Sequence, residues 1–204
     1  MLMNRCIYIR SVCCLGAEDP DFRELFSVLE ARRMSRLLKR AVWTSVHALG
    51  AGGMTLPDAI ITATDFGCIE QSEAFLKALK GLDGAIFRPT HFMQSTHNTI
   101  SSLIAIRLGC HGYNVTYSHR GKSFASALLD AWMQLTLGDM DSALVGWFDE
   151  TTPLFSRLVP EARERAFSML LTTDPQKALA ELASPDPADL RSFLAMYAPE
   201  LTID

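Results

Sequence analysis

Apolar positions along the chain follow two rhythms. Short runs rich in Ile, Val and Thr alternate with longer stretches in which apolar residues recur every three or four positions. Residues 5–15 make a first strand of Ile, Tyr, Val and Cys. Asp19-Pro20-Asp21 then opens a helix whose apolar face is Phe22, Leu25, Phe26 and Leu29. A second helix runs from Leu37 to Leu49 and ends at Gly50, Gly52 and Gly53. Asp58–Thr64 is a short buried strand, and Phe66-Gly67-Cys68 turns it into a helix over Gln71–Lys80. Gly84–Met93 reads as a loop, and Ser95 or Thr96 as the cap of a helix that reaches Leu108.

The most informative stretch is 92–150. A strand, Asn114–Ser118, enters the turn His119-Arg120-Gly121-Lys122. A helix of small and apolar residues, Ser123–Leu137, leaves it, with Gly138 as its C-cap, and a strand containing Leu144-Val145-Gly146 follows. After Glu150 come a loop with two prolines (Thr151–Glu161), a fifth strand (Arg165–Thr172), a helix Pro175–Leu182 capped by Asp174, and a last helix ending near Tyr197. Strands alternating with helices predict an α/β domain over 1–204 with a five-stranded, mainly parallel mixed sheet.

Composition narrows the function. With 49% hydrophobic and 21% charged residues the chain is globular, and a positive mean hydropathy of +0.13 without a membrane span suggests surface hidden by a partner. The opening MLMNRCIYIRSVCCLG resembles a strand more than a signal peptide. Five cysteines without a CxxC spacing read as reduced thiols of a cytoplasmic protein. A net charge of −4 argues against nucleic acid. The five histidines do not fall at ligand spacing, so neither a metal nor a cofactor is expected.

A strand that stops at a helix N-terminus is where α/β proteins hold a nucleophile or bind an anion. Ser118, His119, Lys122 and Ser123 are the polar candidates at this turn. Gly121-Lys122-Ser123 looks like the end of a P-loop, but Thr116 stands where that signature needs glycine. A serine hydrolase using Ser118 needs a base from elsewhere, because adjacent strand side chains point to opposite faces. Arg32, Arg33, Arg36, Lys39 and Arg40 form a basic cluster, either a solvated helix face or a surface for an acidic partner.

The series of motifs resembles the N-terminal half of β-ketoacyl synthases, the condensing enzymes of the thiolase fold. Ser95-Thr96-His97-Asn98 looks like their Ser-x-x-Asn helix start. Arg107-Leu108-Gly109-Cys110-His111-Gly112-Tyr113-Asn114 looks like the lead into their elbow strand. Leu144-Val145-Gly146 with Asp149-Glu150 looks like their Gly-x-x-Glu strand end, and Arg33-Met34-Ser35-Arg36 like their Arg-Met segment. Counting from Gly112 and Asn114, the family's nucleophilic Cys falls on Gly121, which has no side chain to acylate. The family's C-terminal half, which supplies its histidines, has no counterpart here.

The resemblance therefore implies a half-thiolase fold in a short, Cys-less subunit of chain-length-factor type, as found beside type II polyketide and aryl-polyene synthases. It implies a heterodimer with a catalytic ketosynthase and docking of an acyl carrier protein on the basic cluster. It places Asn114, Thr116, Asn98 and the 92–98 segment at the partner interface. Phe92, Met93 and Gln94 are then either plain packing or the wall of an acyl tunnel. A homodimer that binds an acyl or carrier-linked ligand, and a small acyl hydrolase, are the alternatives.

Overall fold

A computed structural model describes residues 5–81, 86–199 and 201. Met1–Asn4 of the opening segment and Gly84 at the start of the expected loop lie outside the described residues. The elements in chain order are β1 (Tyr8–Cys14), α1 (Val28–Arg33), α2 (Arg36–Ala51), β2 (Ala59–Ala63), α3 (Ile69–Leu79), α4 (Pro89–Gln94), α5 (Thr99–Leu108) and β3 (Tyr113–Tyr117). After them come α6 (Ser123–Leu137), β4 (Ser142–Asp149), α7 (Phe155–Leu158), β5 (Arg165–Thr172), β6 (Ala180–Glu181) and α8 (Arg191–Tyr197).

The sheet runs β3-β2-β4-β5-β1-β6. It is mixed: β3, β2 and β4 are parallel, while β5, β1 and β6 join antiparallel. Both β2 and β4 are buried at every position, which is why they read as continuous apolar runs rather than alternating ones. Their alternate residues feed two cores. Ala59, Ile61, Ala143, Val145 and Trp147 face α6, together with Leu182, Leu190, Leu194 and Leu201 of the C-terminal segment. Ile60, Leu144 and Phe148 face α2 and α5 with Leu38, Val42, Ile100 and Ile104. The residues after Glu150 thus both complete the sheet and cover one of its faces. Gly112 lets β3 start beside β2, because a Cβ there would lie 2.1 Å from the Asp58 carbonyl oxygen.

Several local expectations are corrected. The sheet has six strands rather than five. The helix expected over Pro175–Leu182 does not form. Leu179 and Leu182 each donate a backbone N–H to Ile9 and Ile7 carbonyls at 2.7 Å, which draws Ala180–Glu181 into the sheet edge as β6. The helix expected from Asp21 is broken into a 3-10 turn (Phe22–Glu24) and α1. Ser27 restarts it with a capping box, its hydroxyl accepting from Glu30 N while Glu30 accepts from Ser27 N. Part of the expected 84–93 loop is α4, begun by Pro89. Ser95 and Thr96 do not cap α5: their hydroxyls donate back to the Phe92 and Met93 carbonyls, and Asn98 precedes α5 without a side-chain cap.

Candidate functional site

The elbow is built by β3, the turn and α6. Among the described residues β3 is held only on its β2 side, with Tyr113 N donating to Asp58 O at 3.2 Å and Thr64 N to Tyr117 O at 3.0 Å. At the tip Gly121 has φ +67, a left-handed conformation natural to glycine, and a Cβ there would meet nothing within 4 Å. Among the described residues no sulfur stands at the bend. Cys68 immediately precedes α3, and burial pushes its thiol up to about 12. Cys110 lies ahead of β3, its Sγ donating to Pro57 O at 3.4 Å.

What occupies the bend is a carboxylate. Asp65 Oδ1 accepts from Gly121 N at 2.9 Å and from the Ser123 hydroxyl, which itself accepts from His119 N at 2.8 Å. Asp65 was not among the residues that the sequence singled out. Its signal was its place: it follows β2, the parallel neighbour of the elbow strand, and loops after adjacent parallel strands meet at one sheet end.

Behind Asp65 sits Asp149 at the end of β4, only 1% exposed. Its Oδ1 accepts from Thr64 Oγ1 at 2.9 Å, Asp65 N at 2.8 Å and Phe66 N at 3.0 Å. Its Oδ2 faces the Arg165 guanidinium at 3.6 Å, and that guanidinium lies 4.2 Å above the Trp147 ring. Burial pushes the Asp149 carboxyl up to about 6, against the pull of those donors. Glu150, next along, accepts from Glu70 N at 2.9 Å at the start of α3. Burial pushes it up from 4.5 to about 7.

These raised values predict how stability depends on pH. An acid whose pKa is higher folded than unfolded holds its proton more tightly when folded, so stability is full at low pH and lost as pH rises. For Glu150 the window runs from 4.5 to about 7. That difference is worth on the order of 3 kcal/mol. The chain is expected to melt at a higher temperature at pH 5 than at pH 7.5. Glu150→Gln, which keeps an acceptor for Glu70 N, should flatten that slope. An unchanged slope in the variant would assign the effect elsewhere.

The remaining candidates divide. Ser118, His119 and Lys122 are exposed, and their side chains make no hydrogen bond to any described residue, so no described base is bonded to Ser118. Asn114 and Thr116 are tied to α5: Asn114 Nδ2 donates to Ser101 O at 3.2 Å, and Thr116 Oγ1 bonds Ser101 Oγ at 2.8 Å and Thr62 Oγ1 at 2.9 Å. Phe92 packs on Phe75 with ring centroids 5.4 Å apart. Met93, Gln94 and Asn98 line a groove of about 800 Å³ between α1, α2, α4 and α5, with Phe26, Leu38 and Ile106 among its apolar walls.

The basic cluster does not act as one surface. Arg40 is buried (3% exposed), donates to the Leu15 and Gly16 carbonyls and pairs with Asp19 and Glu164. Arg36 is shared between the same two carboxylates at 2.7 and 2.9 Å. Lys39 lies over the Phe22 ring. Only Arg32 and Arg33 remain exposed without an ion pair to a described residue. Among the described residues no group of three or more His, Cys, Asp or Glu is placed to hold a metal, and no helix is long and apolar enough to cross a membrane.

A family model described as the β-ketoacyl synthase N-terminal domain matches residues 14–192. The chain belongs to this family. Solved structures share the fold of this ketosynthase-like domain. One is AntDE:AntF, a type II polyketide synthase acyl-carrier protein in complex with its ketosynthase bound to the hexaketide. It has a TM-score of 0.75 and 14% identity over 89% of this chain and 69% of that one. Another is the ketosynthase ApeO in complex with its chain length factor ApeC from Xenorhabdus doucetiae, at TM-score 0.67 and 19% identity over 82% and 79%. The ishigamide ketosynthase/chain length factor matches at 0.65 and 15% identity over 86% and 64%. At such identities the likeness speaks for the fold alone. No curated protein matches the sequence.

Proposed function

We propose that this chain is a ketosynthase-like subunit without condensing chemistry of its own. It pairs through the free edge of β3 with a catalytic ketosynthase and lines the path of the growing acyl chain. The observation that carries this reading is an intact strand-to-helix elbow whose tip is Gly121, with no thiol near it. The side of β3 that no described strand pairs supports the association, since exposed strand edges invite a further strand. Ketosynthase complexes with a chain length factor or a carrier protein among the structural neighbours point the same way.

In this reading the groove beside Met93, Gln94 and Asn98 borders the acyl path. Arg32 and Arg33 are the cations left to steer an acidic carrier protein, Arg36, Lys39 and Arg40 being engaged within the fold. Type II polyketide assembly is the favoured setting, an aryl-polyene-like product being one form of it. Purification with a ketosynthase encoded beside it tests the reading. The expected result is a 1:1 complex by native mass spectrometry whose product length shifts in Met93→Ala. A stable monomer in the presence of that ketosynthase, or a homodimer that ignores it, would count against the proposal.

A further inference from the structure

We infer that Asp65 is a resident anion of the elbow, so the bend would fail to activate a thiol even if position 121 carried one. The inference rests on the reading above in assigning the elbow no chemistry, and it adds a second cause for that loss. A helix N-terminus ordinarily stabilises a thiolate or an oxyanion, because its free N–H groups converge there. Here two donors of the bend are already used. The Gly121 N–H and the Ser123 hydroxyl both point at Asp65 Oδ1, and the Ser123 oxygen in turn takes the His119 N–H.

Charge acts in the same direction as donor occupancy. A carboxylate 2.9 Å from the residue's own nitrogen repels a thiolate formed on the adjoining side chain and raises that thiol's pKa. Asp65 is half-buried, and it is held from behind, since its own N–H is bound to Asp149. The cavity in front of the bend, about 310 Å³, is lined by Asp65, Gly121 and Phe124 on the elbow side. Pro187 and Ala188 of the C-terminal segment line it too. An acyl thioester reaching position 121 would meet this carboxylate where it needs hydrogen-bond donors.

The test compares Gly121→Cys with Gly121→Cys/Asp65→Asn. The open space at position 121 admits the side chain, at the modest cost of a left-handed φ. Alkylation by iodoacetamide is followed across pH, and peptide mass spectrometry separates the introduced thiol from exposed Cys6. In the single variant the introduced thiol should react at pH 7 no faster than Cys6. Adding Asp65→Asn should accelerate it about 10-fold or more and lower its apparent pKa by at least about one unit. If Asp65→Asn fails to fold, Asp65→Ser takes its place. A fast thiol with Asp65 present, or identical profiles with and without it, overturns the inference. Neither outcome touches association with a ketosynthase, so failure here is distinguishable from failure of the subunit reading.

Discussion

Asn114→Pro is expected to leave the chain folded and to weaken association with a ketosynthase about 100-fold or more. In β3 the N–H of Tyr113 and the carbonyl of Tyr117 are spent on β2. In a parallel ladder every second residue turns both backbone groups to the same neighbour, so Tyr113, Val115 and Tyr117 face β2 and the two residues between them face away. Asn114 and Thr116 therefore present their N–H and C=O to the open edge, where a partner strand would bond them. Proline at 114 removes one outward donor and places its ring against the incoming strand, yet breaks no bond to β2. Loss of a ladder bond plus that clash is of order 3 kcal/mol, which is roughly 100-fold in affinity.

The variant also loses the Asn114 side-chain bond to Ser101 O. Asn114→Ala loses the same bond and keeps the N–H, so it is the proper control and should still associate. Both should melt within a few degrees of the parent, and the two should differ only in a binding titration. Equal affinity of the two variants would remove β3 from the interface.

How much of this was written in the sequence differs from element to element. The elbow was legible because its parts are contiguous: an apolar run, four turn residues and an amphipathic helix within about 25 positions. β2 and β4 were legible because burial on both faces leaves unbroken apolar runs. Other features depend on partners far along the chain. Arg40 looks like a helix-surface cation until Leu15, Gly16 and Glu164 close over it, the last of them 124 residues away. Asp174-Pro175 has the look of a helix start, but pairing with β1 outweighs local propensity at Ala180. The restart of α1 was readable in principle, since Ser27-Val28-Leu29-Glu30 is a capping-box string. Asp65 needed the strand order as well as the sequence, because only the parallel neighbourhood of β2 and β3 brings residues 65 and 121 together.

Asp149→Ala is expected to cost about 3–5 kcal/mol, the range for removing one partner of a buried charge pair. That is a large part of the roughly 5–15 kcal/mol that holds a domain together. The methyl group would leave the Arg165 guanidinium without its counter-charge and orphan two backbone N–H groups, those of Asp65 and Phe66. Asp149→Asn should be far milder, about 1 kcal/mol, because a carbonyl oxygen can still accept those bonds. The carboxyl itself is pushed up to about 6 by burial, so a neutral acceptor replaces a group already reluctant to ionise. Urea unfolding separates the two variants, and near-equal costs would mean that charge pairing, rather than acceptance at Oδ1, dominates. The effect also reaches the elbow. Asp149 fixes the backbone of Asp65, and Asp65 in turn receives the Gly121 N–H. In Asp149→Ala, amide exchange at Gly121 should rise more than exchange at α2, whose contacts with β5 lie on the other side of the sheet.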